Sequence, residues 1–204
     1  MRHATSILGL CALLGLSPAA AQTELTFVAA TAAHESAARA YRAIWEADGQ
    51  RILEAFEAAT CLPFAERDVA AIVDDAVSHS GGPQHPMGLR ASYGQDVKRA
   101  TLVHELGHRH LWQLARRLDG FDGHETLFLI LDRVWAAVWG EEFAARRVLD
   151  ESSWLASYDY AAAWKRVRSL AFDERVRIWN DLLAFNGFAA GCGLEPASRQ
   201  LTAR

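Results

Sequence analysis

The stretch TLVHELGHRHLW, residues 101–112, constrains this chain more than any other, because its histidines can serve one another only on a helix. At 3.6 residues per turn, His104 and His108 lie about 40° apart on one face, near enough to grip a single cation. Glu105 follows the first of them and can reach a water on the metal without occupying the metal itself. His110 is two positions past His108, roughly 200° round the helix, and points away. Two ligands, one base and one bystander follow from that spacing. From Lys98 to Leu118 the only helix-disfavouring residue is Gly107. Between two ligands, it would let a neighbouring strand or substrate approach closely.

The segments around this helix predict an α+β fold that is mostly α, with a small β part before the motif. Residues 26–59 are Ala-rich, with Tyr41, Ile44, Ile52 and Phe56 near helical spacing and a break expected at Asp48-Gly49. Val69 to Val73 reads as a short buried strand, SHSGGPQHPMG as a loop, and LRASY as a second strand. LDGFDG stops the motif helix. Asp122, with Glu125 three positions on, then forms a capping-box start for TLFLILDRVWAAVWG, a helix apolar nearly all round and so expected in the core. Further helices are expected at about 141–150 and 160–185. The seven tryptophans read as core residues, and His34, His79 and His85 as surface or loop residues.

The N-terminus has the layout of a secretory signal peptide over residues 1–21. Arg2 and His3 form the basic region, Ile7 to Leu16 the apolar core, and Ala19-Ala20-Ala21 the cleavage site. The apolar part is about half the ~20 residues of a membrane span, and Leu10 before Cys11 argues against lipid attachment. Residues 22–204 would then form the mature domain, secreted or periplasmic, with no stable membrane anchor. Losing Arg2 makes that domain one unit more negative than the −4 of the full chain, which leaves no basic footprint for nucleic acid. It retains Cys61 and Cys192, either a disulfide or two buried thiols.

TLVHELGH resembles the H-E-x-x-H segment of the zincin metallopeptidases. The likeness is specific over about ten residues and extends loosely, as helix, short strands and motif helix, over residues 26–140. It implies a zincin-like domain with a small sheet before the motif helix, a bound Zn²⁺ and a peptide or protein substrate. Arg109 and His110 stand where an uncharged and a hydrophobic residue are usual, and Leu114 occupies the position of the metzincin third histidine. A catalytic zinc has three protein ligands. His124, fifteen residues beyond His108, resembles the histidine that opens the next helix in SprT-like zincins. Glu141 and Glu142 resemble the gluzincin E-x-x-A segment but come later than usual, and Glu125 is needed as a cap. A motif helix running to Leu118 would bring an antiparallel partner level near residue 136 and favour Glu141; one ending near Trp112 or Gln113 lets a loop return His124. His124 is the expected ligand, with His104 and His108.

The resemblance implies hydrolysis of peptide bonds, with Glu105 as general base. Arg90, Tyr93, Tyr158 and Tyr160 are candidates, by residue type, for stabilising the oxyanion. A non-catalytic zincin-like domain that binds metal or a partner protein is the competing expectation.

Overall fold

A computed structural model describes residues 23–192, apart from 83, 155, 156 and 190. The expected signal peptide lies outside the described residues. In chain order the elements are β1 (Glu24–Ala29), α1 (Glu35–Thr60), β2 (Asp68–Asp74), β3 (Met87–Arg90), α2 (Gln95–Leu111), α3 (Gly123–Trp139), α4 (Glu141–Ser152), α5 (Tyr160–Ser169) and α6 (Phe172–Phe185). The fold is α+β and mostly α.

The sheet has the order β1-β2-β3 and both pairings are parallel, Leu25 opposite Val69 and Val73 opposite Leu89. Parallel neighbours need a long crossover, and α1 supplies it between β1 and β2. Leu25, Phe27, Val69, Ala71 and Val73 alternate inward, where Tyr41, Ile44, Ile52 and Phe56 of α1 join the same core. α3 is the central helix. Leu127 to Leu131, Val134 and Trp135 are all buried, and it packs on α1, α2, α4 and α5. Among the described residues no helix is long and apolar enough to cross a membrane.

Several sequence expectations need correction. Residues 26–29 belong to β1, not to the first helix. The Leu25/Phe27 alternation and the pairing with β2 outweigh the helical preference of the neighbouring alanines. α1 does not break at Asp48-Gly49: Gly49 lies under the Trp45 ring, and Asp48 accepts from Arg51 and from Trp139 Nε1. The strand expected at LRASY is β3, which starts earlier and ends at Arg90. α2 stops at Leu111, close to the shorter of the two expected ends and not at Leu118. Gln113 folds back onto the carbonyls of Pro63 and His110, and Asn186 bonds the backbone N–H and C=O of Arg116, so residues 113–117 are held off the helical path. Residues 160–185 form two helices, split where Leu170 and Ala171 are extended.

Cys61 caps α1 in the left-handed region (φ 57°) and is bridged to Cys192, 131 residues on. The bridge ties the start of the chain's core to the segment after α6.

Candidate metal centre

Because α2 ends at Leu111, the chain needs only residues 112–122 to turn back and start α3. Asp122 caps that start in a complete capping box: its carboxylate accepts from Glu125 N–H at 2.8 Å, and Glu125 accepts from Asp122 N–H at 3.2 Å. His124 is thereby fixed in the first turn of α3. A Cβ on Gly107 would sit 2.5 Å from Leu127 Cδ1. The glycine therefore admits the neighbouring helix α3, rather than a strand or substrate.

These two helices bring three imidazoles together. The His104 and His108 Nε2 atoms are 3.2 Å apart, and the His124 ring is centred 5.4 Å from that of His104 and 4.6 Å from that of His108. One ligand nitrogen from each lies within 4.8 Å of the others, close enough to hold a metal ion. His104 Nδ1–H donates to Glu151 Oε1 at 2.9 Å, leaving the Nε2 lone pair directed at the cluster. Two tetrahedral nitrogen ligands on zinc stand roughly 3.3 Å apart, so the donor set fits such an ion.

At two of the three rings the electrostatics agree with that use. Burial, then the neighbouring histidines, holds His108 far below the ordinary histidine range, and burial lowers His124 to about 4. Both are neutral ligands at pH 7. Burial also opposes protonation of His104, but Glu151 and Glu105 outweigh it and raise its pKa. Glu151 is 1% exposed and also accepts from Trp164 Nε1 at 3.0 Å.

Glu105 is buried and lines a cavity of about 390 Å³ together with His104, Arg90, Tyr93 and Tyr160. Burial, reinforced by Glu151 and opposed by His104, raises its pKa to about 7. The four candidate oxyanion donors differ in their commitments. Tyr158 donates to both oxygens of Asp122, at 2.9 and 2.8 Å, while its ring packs on His124. Arg90 Nε donates to the Asp75 carbonyl and its guanidinium lies over Tyr93. The Tyr160 hydroxyl stands 3.4 Å from His124 Nε2, facing the cluster. Burial, then Glu151 and Glu105, raises its pKa to about 12, so it keeps its proton.

The two departures from the motif pattern have structural causes. Arg109 is buried and makes a two-pronged pair with Glu66 at 2.6 Å for each contact, and it donates to the carbonyls of Ser80 and His85. His110 stacks between Phe56 and Phe64 and bonds Thr60 Oγ1 at 2.9 Å. Burial lowers its pKa to about 4.

The alternative ligands stand apart from the cluster. Glu125 is held by Arg166 and its cap, Glu142 pairs with Arg146, and Glu141 lines a different cavity with Asp132 and Arg175. His79 and His85 are exposed, and half-buried His34 bonds Asp75. Sequence reading passed over Glu151, although Phe143, Arg147 and Glu151 are spaced four apart and all lie on the buried face of α4.

No protein-family model, curated protein or solved structure matches this chain, so its site is read from its own geometry.

Proposed function

We propose that this chain is an exported zinc metallopeptidase of zincin type. The observation that carries the reading is the convergence of His104, His108 and His124 beside a cavity into which Glu105 opens. The disulfide supports an oxidising compartment, in keeping with the expected signal peptide.

The three imidazoles would hold the ion, with Glu151 orienting His104 through Nδ1. Zinc bound there would supply Lewis acidity, polarising a substrate carbonyl and acidifying a water molecule. Glu105 would accept a water proton on its carboxylate and pass it to the leaving amine. A pKa near 7 suits both halves of that transfer. Tyr160 donates its hydroxyl proton in a hydrogen bond to the carbonyl oxygen as negative charge develops there.

A second reading, a non-catalytic metal-binding domain, draws on the same tyrosine. At 3.4 Å from His124 Nε2, its oxygen is near enough to close the site as a fourth ligand. Hydrolysis of an unfolded protein substrate separates the two. The peptidase reading expects turnover that a chelator abolishes, and a Glu105→Gln variant that keeps its metal but loses roughly 10²–10⁴-fold in rate. Full turnover in that variant would remove Glu105 from the mechanism; no turnover in the metal-loaded wild type would favour the closed site.

A further inference from the structure

A second cavity, of about 320 Å³, opens beside the cluster at His108 and shares no lining residue with the one at Glu105. Its walls include Leu111, Leu114 and Leu182, its charged groups are Arg116 and Arg117, and among the described residues no carboxylate lines it. The two arginines differ. Arg116 is engaged, with its guanidinium over the Phe185 ring at 5.1 Å and its backbone held by Asn186. Arg117 makes no ion pair or hydrogen bond with any described residue. Its guanidinium nevertheless lies over Gly123, where a Cβ would come within 3.0 Å of Nη1, one residue before His124. A cation against the first turn of a helix opposes the helix dipole.

Resting on the peptidase reading above, we propose that Arg117 determines specificity by binding a carboxylate of the substrate, while the leucine walls take the apolar stem that carries it. A guanidinium pairs a carboxylate through two parallel N–H donors, and neutral leucine walls raise the strength of that pair. An acidic side chain and a free C-terminal carboxylate present the same chemistry.

Three fluorescent peptides of one sequence distinguish these sources: glutamate with an amidated C-terminus, glutamine with a free C-terminus, and glutamine with an amidated C-terminus. Binding is followed by anisotropy on the zinc-loaded Glu105→Gln chain, which does not consume them, and on the chelator-treated chain. The expected result is that one carboxylate peptide binds about tenfold tighter than the neutral one. Arg117→Ala should abolish that preference with and without metal. Arg39→Ala, an equal charge loss at an exposed position on α1, should preserve it. Equal binding of all three peptides would overturn the inference. So would a preference that survives Arg117→Ala, or one that exists only with metal, since the ion would then be the carboxylate's partner. Cleavage by wild type with no charge preference would overturn the role of Arg117 and leave the peptidase reading intact. Arg117-dependent binding without cleavage by wild type would do the reverse.

Discussion

His108 and His110 are neighbours on α2, two positions apart, yet they face opposite chemistries. His108 turns to two further imidazoles on a side of the helix that opens to cavities. His110 turns to Phe56, Phe64 and the Thr60 hydroxyl, in the closed interior beside the disulfide. Both are kept neutral by burial, so protonation state does not separate them. What separates them is whether other lone pairs converge on the ring nitrogen. Nitrogen donors collected around a point invite a cation, whereas a hydroxyl and two aromatic faces satisfy the ring as it stands. Histidine count is therefore a poor guide to a metal site, and convergence is a good one.

Three perturbations test that contrast, in decreasing order of effect. The largest strikes the structural end. Cys61 directly follows Thr60, the partner of His110, and its bridge spans 131 residues. Replacing Cys61 and Cys192 together by serine should lower unfolding free energy by about 2–5 kcal/mol in urea titration, while the variant still binds its metal under native conditions. Loss of metal at temperatures where the variant remains folded would join the two regions that the contrast keeps apart.

The next strikes the cluster. Glu151→Gln keeps an acceptor for Trp164 but removes the charge behind His104. Metal affinity, read by competition with a chromophoric chelator, should fall about 10–100-fold. Unchanged affinity would reduce Glu151 to a packing residue of α4. The smallest effect belongs to His110→Phe. It preserves the stack and gives up one buried hydrogen bond, at about 1 kcal/mol of stability, with metal affinity unaltered.

The two ends of α2 were not equally legible in the sequence. The His104–Glu105–His108 spacing sets a common helix face, and the Asp122/Glu125 box sets where His124 begins its own helix. Both are local rules, readable within one turn. The end of α2 was not local: Asn186, 70 residues away, helps decide it. β1 was hidden because Leu25 and Phe27 alternate over too few residues to compete with the alanines that follow, and pairing with β2 settled it. The split between α5 and α6 has no glycine or proline to announce it. Glu151 left a trace in the four-residue spacing of α4, but on a charged helix that trace resembles a solvated acid until Trp164 and His104 are seen to cover it. Arg109 and His110, which read as breaks in a pattern, are residues of the interior, each with partners from distant segments.

Elemental analysis of the purified chain, loaded with zinc and dialysed, tests the convergence most directly when wild type is set beside His124→Ala and His110→Phe. One equivalent of zinc in wild type and His110→Phe, with none retained by folded His124→Ala, is the predicted result. Equal zinc in all three, or none in wild type, would contradict it.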